Sequence, residues 1–313
     1  MIHINGGAVL RTGAAALTFG SFLLLAGCQT MGAQPAQAPL LFDDFSYSSL
    51  DAFGANGWIA RTAPGWPGVQ GAEWTGNITV IDDPAQTGNR LIRMTASTDR
   101  RTTRQAQFCH QRKYYEGTYA ARVRFADQPL SGPDGDQVVE TLYTIAPLKA
   151  PMNLDYSEQD FEYLPNGGWG GKALTLHTTT WETFNPEPEW LQVSTSSARE
   201  GSLEGWHTLV LQIANREVRY FLDGQPLATH GEPYYPEEPM SMNFNLWFIR
   251  DGLTDSPTLR TYQEDVDWAF HQVGVVLSPT EVDAKVAALR AAGVAFRDTV
   301  APMQPALPSP CNF

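Results

Sequence analysis

The chain has 313 residues and a formal net charge of -13, with 21 Lys and Arg against 34 Asp and Glu. Such acidity argues against a phosphate backbone as partner, so no nucleic acid is expected. Charged residues are only 18%, aromatics reach 11%, and 27 Gly with 22 Pro supply frequent turns, which suits an all-β domain rather than a disordered chain or a polytopic membrane protein.

Residues 1–27 read as an address rather than as part of the fold. Arg11 is the only Lys, Arg, Asp or Glu before Cys28. Positions 12–27 are apolar or small, fewer than the ~20 residues of a spanning helix. They end in Leu25-Ala26-Gly27-Cys28, which resembles the lipobox of a bacterial lipoprotein signal. That resemblance implies cleavage before Cys28 and a lipid on Cys28; an ordinary secretory signal or an anchor helix is the alternative. Residues 28–38 then form a flexible polar tether. The expected location is the cell envelope, with membrane contact through the lipid. Gln29 is not the Asp that signals inner-membrane retention, so the outer membrane or cell surface is favoured. Cys109 and Cys311 remain, and in an oxidising compartment they can form one disulfide; two free thiols are the alternative.

From about residue 39 to 277 short alternating runs are broken by Gly, Pro, Asn and Asp. Strands are expected over 77–81, 90–96, 137–145, 172–179, 240–249 and 262–276. Tyr119, Ala121, Val123 and Phe125 alternate with Ala120, Arg122 and Arg124, as a half-buried strand requires. Leu209, Leu211 and Ile213 repeat the pattern, and Asp223-Gly224 supplies a hairpin turn into 225–228. More than ten strands imply two packed sheets: a β-sandwich or jelly roll. Only one segment reads as a helix. Ser278-Pro279-Thr280-Glu281 is a capping box with Pro at the first position, and Val282, Val286 and Leu289 share a face. Residues 278–313 are therefore this helix plus a Pro-rich tail, expected to run extended over the surface.

The most informative segment is Glu158-Gln159-Asp160-Phe161-Glu162. Alternate side chains of a strand share a face, so the three acids line up on one side. Like charges so placed cost stability. Positions i and i+4 lie about 13 Å apart at Cα, from a rise of ~3.3 Å per residue. Glutamates leaning inward bring their carboxyls to roughly 5–6 Å, near the ~5–5.5 Å of retaining glycosidases. A central Asp can help split the outer pair into one ionised nucleophile and one protonated acid. A solvated acidic face or a carboxylate calcium site is the alternative.

This segment resembles the E-x-D-x-E signature of glycoside hydrolase family 16. Four further segments agree in order. Residues 116–123 (EGTYAARV) resemble the strand entering the family's domain. Trp206-His207-Thr208 with 218–224 (VRYFLDG) resembles its hairpin. Asn245-Leu246-Trp247 and Val266-Asp267-Trp268 resemble two later strands. The resemblance spans about residues 117 to 276 and implies a jelly roll like concanavalin A. It implies Glu158 as nucleophile, Asp160 as assisting carboxylate and Glu162 as general acid/base. The spacing is that of lichenases and xyloglucan-active members. Gln159 departs from the pattern, standing where the family has an apolar core residue. Residues 127–154 and 180–200 match no member.

Sugar rings stack on aromatic planes. Trp169 and Trp181 follow the acids, Asn245 and Trp247 lie on the later strand, and His177 is on the strand after the acids. These five are the expected substrate-binding residues. Trp169 sits among Gly167, Gly168, Gly170 and Gly171 and reads as an exposed loop tip; Trp206 and Trp268 read as core. The segment 166–173 fails as a phosphate loop, with Asn166 and Ala173 where Gly and Ser/Thr belong. No G-x-S-x-G elbow and no H-E-x-x-H pair occurs. Asp134-Gly135-Asp136 reads as a turn. No metal-ligand set and no cofactor is assigned; a structural calcium is the one addition the acids allow. The expected protein is a monomeric retaining endo-glycosidase cleaving a β-linked polysaccharide, a β-glucan by resemblance. A transglycosylase using the same residues, or a non-catalytic glycan-binding lipoprotein, are the alternatives.

Overall fold

A computed structural model describes residues 38–186, 188–309 and 311. The signal, Cys28 and all of the tether but Ala38 lie outside the described residues. The elements begin with β1 (Leu40–Asp43), α1 (Leu50–Ala55), β2 (Trp58–Ala60), β3 (Ile78–Asp82), β4 (Arg90–Thr98) and β5 (Thr103–Arg104). Next come β6 (Ala106–His110), β7 (Gly117–Phe125), β8 (Val138–Ala146), β9 (Ser157–Leu164), β10 (Thr175–Asn185) and β11 (Leu191–Glu200). Then follow β12 (Gly205–Ala214), β13 (Glu217–Leu222), β14 (Gln225–His230), β15 (Ser241–Phe248), β16 (Arg260–Val273), α2 (Pro279–Ala291) and β17 (Phe296–Asp298).

The strands form two antiparallel sheets. One runs β14-β13-β12-β7-β16-β1-β17, with β4 joined to β16 and flanked by β3 and β5. The other runs β11-β10-β9-β8-β15-β6-β2. Between them lies an apolar core that includes Val123, Leu142, Phe161, Leu209 and Phe244. Phe108 and Phe244 stack there with centroids 4.7 Å apart. The result is the two-sheet β-jelly roll expected from the alternation.

Local chemistry accounts for the joints. Asn215 and Arg216 both take positive φ between β12 and β13, as do Asp223 and Gly224 between β13 and β14, the primed geometry that matches strand twist. Ser278 and Glu281 form the reciprocal capping box, with Pro279 beside it. The helix they start buries Val282 and Val286 with Leu40, Phe42, Trp268 and Phe270 on the outer face of the larger sheet. The chain then returns as β17 alongside β1. Among the described residues, no helix is long and apolar enough to cross a membrane.

Three expectations need correction. A second helix, α1, exists; it has only six residues, and its N-cap Ser49 makes no side-chain cap bond. Trp206 is not core: it is half-buried, with the Arg122 guanidinium 5.1 Å from its ring centre. Asp136 is more than a turn residue. It is fully buried against Arg260, accepting 2.8 and 3.0 Å hydrogen bonds from Nε and Nη2.

Gln159 shows how the core accepts a polar side chain. It is fully buried, and its Oε1 accepts a 2.7 Å bond from Thr144 Oγ1. The same strip continues through Thr180 to Tyr220 and His230 at 2.6 and 2.7 Å. Cys109 and Cys311 are joined as a disulfide, Cα atoms 5.9 Å apart, fastening the tail beside β6.

Candidate active site

Glu158, Asp160 and Glu162 project from β9 on the face opposite Phe161 and Tyr163, which enter the core. Register places their neighbours. On β10, Trp181, Thr179 and His177 stand opposite Glu158, Asp160 and Glu162. On β8, Ile145, Tyr143 and Thr141 stand opposite the same three. Asn245 on β15 continues the row from Thr141, and Gln107 on β6 continues it from Asn245. The row therefore crosses five strands and forms the floor of a cleft.

The cleft has two lobes that meet at the three acids. One, about 210 Å³, is lined by Arg61, Gln107, Tyr143, Tyr156 and Asn245 among others. The second, about 390 Å³, is lined by Trp169, His177, Trp181, Trp190 and Ser196 among others. Trp66 and Trp247 border both. Volumes of this order lie within the ~300–1,000 Å³ of small-ligand clefts once the lobes are taken together. Thr141 Oγ1 and Asn245 Oδ1 sit buried on the floor with no hydrogen-bond partner.

The three carboxyls differ in surroundings. Asp160 is 3% exposed, whereas Glu158 and Glu162 are half-buried. Burial is the first cause of every shift, because it disfavours the charged form. It pushes Glu158 up to about 7, against hydrogen bonds from Tyr156 and Asp160 that favour its anion. Glu162 is pushed up to about 8 by burial and then by repulsion from Glu158. Asp160 is held well above the carboxylate range by burial and by both glutamates. Asp160 is thus a neutral acid that donates to Glu158, and Glu158 is the more readily ionised of the outer pair. The Tyr156 hydroxyl donates to Glu158 Oε2.

All five expected substrate-binding residues line the cleft. Trp169 is 52% exposed, edge-on to His177 at 5.2 Å. Trp181 meets Trp190 edge-on at 6.2 Å, and Phe184 bridges Trp190 to Tyr156 at 5.3 and 5.2 Å. Sequence reasoning missed Arg61, Trp66, Tyr143, Tyr156 and Trp190. Tyr143 was accessible in principle, since Thr141, Tyr143 and Ile145 share one face of an expected strand. Trp66, 67% exposed, arrives on a loop whose place depends on pairing far along the chain. Among the described residues no group of three or more His, Cys, Asp or Glu is arranged to hold a metal ion.

No family model matches the sequence, and no curated protein does. Solved structures match in fold. The chain is similar to a β-glucanase of Bacillus licheniformis at 12% identity and TM-score 0.52, over 76% of this chain and 99% of that one. It is similar to a glycoside hydrolase family 16 endo-glucanase from Bacteroides ovatus at 15% and 0.56, over 73% and 98%. It is also similar to the κ-carrageenase of Pseudoalteromonas carrageenovora at 13% and 0.52, over 79% and 99%. At such identities the likeness establishes the fold, the jelly roll on which those enzymes are built.

Proposed function

We propose that the protein is a retaining endo-glycosidase that hydrolyses a β-linked polysaccharide by double displacement. One observation carries this reading. Two glutamates at i and i+4 of one strand flank a buried Asp160 on a cleft floor, where two lobes meet. The glucanase neighbours in fold support it. Glu158 attacks the anomeric carbon while Glu162 gives its proton to the departing glycosidic oxygen. The glycosyl-enzyme ester is then opened by water, whose proton returns to Glu162, and Glu158 leaves as the carboxylate. Asp160 steadies Glu158 through their shared hydrogen bond. Lobes on both sides of the acids give room for sugar rings on each side of the cut, the requirement for endo action.

The test is a reducing-sugar panel of β-linked polysaccharides with chromatographic sizing of early products and NMR of the first anomer formed. Medium-length oligomers with a retained β-anomer are expected. Glu158→Gln should abolish turnover while leaving folding and glycan binding intact. No cleavage of any polymer by the unmodified protein overturns the reading in favour of a glycan-binding protein. Transfer to an added sugar acceptor in place of water would mark a transglycosylase.

The same proposal includes export and a lipid on Cys28. The Cys109–Cys311 disulfide supports export, because such bonds persist in oxidising compartments. Metabolic labelling with a fatty-acid probe, lost in Cys28→Ser, tests it.

A further inference from the structure

Arg61 stands just beyond β2, 5% exposed, and lines the lobe that holds Tyr143 and Asn245. Its guanidinium carbon lies 3.8 Å from the ring centre of Trp74. Nε donates to the Ala63 carbonyl at 2.9 Å, Nη1 to Gln107 Oε1 at 2.8 Å and Nη2 to the Trp66 carbonyl at 3.0 Å. Every one of these acceptors is uncharged. Two other deeply buried guanidiniums are paired with acids: Arg260 with Asp136, and Arg112 with Glu238. Among the described residues Arg61 has no such partner.

A buried charge without a counter-charge is costly, and proteins pair it. A guanidinium is never discharged by losing its proton, so its counter-ion has to come from elsewhere. Arg61 has five N–H donors, three of them used. One remains on each terminal nitrogen, the pair that grips a carboxylate or a sulfate through two oxygens. A neutral sugar covering this lobe would strip water from the cation and return nothing to it. An anionic sugar would complete it.

We propose that this lobe takes a sugar ring bearing an acidic substituent, a carboxylate or a sulfate ester, and that Arg61 determines that specificity. The inference rests on the reading of the cleft as a polysaccharide site. It replaces the neutral β-glucan suggested by sequence resemblance with an anionic polymer. The solved neighbours do not choose between these chemistries, because the fold is common to glucanases and a κ-carrageenase.

The experiment is calorimetric titration of the Glu158→Gln protein, which binds without turnover. The probes are matched neutral, carboxymethylated and sulfated oligomers of a β-glucan and of a β-galactan. Titrations run at 0.15 M salt, where long-range repulsion from the acidic protein is screened within ~8 Å. The anionic form of at least one backbone should bind at least about tenfold tighter than its neutral form, the scale of a charged hydrogen-bond pair. The substituent with the larger preference identifies the source of the charge. Arg61→Gln should erase the preference by weakening the anionic form at least about tenfold more than the neutral one, and Arg61→Lys should keep part of it. Equal affinities, no binding by any anionic form, or equal weakening of both forms in Arg61→Gln overturn the proposal. The last result would reduce Arg61 to a clamp for the Trp66 loop. Should Arg61→Gln fail to fold, the parent preference and Arg61→Lys decide. Cleavage is assayed separately, so loss of the hydrolase reading and loss of this one are distinguishable.

Discussion

The indole Nε1 of Trp181 donates a 2.9 Å hydrogen bond to Oδ2 of Asp160 across the β9–β10 ladder. That contact occupies one oxygen of a buried acid and leaves the other to carry its proton toward Glu158. Trp181→Phe keeps an aromatic ring for stacking but removes the donor. A neutral hydrogen bond is worth about 1 kcal/mol, so kcat should fall roughly fivefold with KM little changed. Steady-state kinetics on a cleavable oligosaccharide checks this. An unchanged kcat would mean that Asp160 needs no orientation from Trp181.

The split between Glu158 and Glu162 sets a pH profile. In the proposed mechanism the reactive form has Glu158 ionised and Glu162 protonated. Its fraction rises as pH passes the value near 7 for Glu158 and falls beyond the value near 8 for Glu162. The profile of kcat/KM is therefore a narrow bell with its maximum between those limits, and its limbs belong to the coupled pair. Tyr156→Phe removes a hydrogen bond that favours the Glu158 anion, so the acid limb should move upward in pH. A broad plateau reaching pH 5 would contradict the assignment.

The carboxylate face was legible because β structure has period two. Acids at 158, 160 and 162 must share a side whatever the strand pairs with. The capping box at Ser278 and the turn at Asp223-Gly224 were legible for the same reason: their chemistry is local. Arg61 and Trp66 were not, since they reach the acids only through the pairing of β2 with β6 and of β6 with β15. The strand β11 escaped notice because it is an edge strand exposed along most of its length, and water on both faces leaves no alternation to read. Gln159 departs from the apolar pattern; Thr144 Oγ1 meets its Oε1, while its Nε2 is buried with no hydrogen-bond partner.

Asp267 ties the C-terminal helix to the larger sheet. Buried midway along β16, it accepts from Arg290 of α2 at 2.8 and 3.1 Å and from Asn89 at 2.9 Å. Arg122 lies 3.4 Å away. Breaking a buried ion pair costs about 3–5 kcal/mol, but both arginines are partly solvated, so about 2 kcal/mol is expected for Asp267→Ala. Thermal unfolding should drop by roughly 4–8 °C, with kcat retained below the transition because the cleft lies on the other sheet. Loss of activity without loss of stability would show that α2 influences the cleft.

Glu162 also places a cost on the fold. Its carboxyl titrates near 4.5 in the open chain and is raised to about 8 in the folded protein. Between those values the folded state keeps a proton that the unfolded state releases, so stability falls with each step up in pH. The favourable contribution is complete below 4.5 and is lost as pH climbs through 8. Glu162→Gln has no proton to lose. At pH 4 its melting temperature should match that of the parent, and by pH 8 it should exceed it by several degrees, while turnover is lost. Differential scanning calorimetry across pH 4–9 reads this directly. Parallel melting curves for the two proteins would mean that Glu162 is solvated enough to ionise freely, and the acid role assigned to it would lose its physical basis.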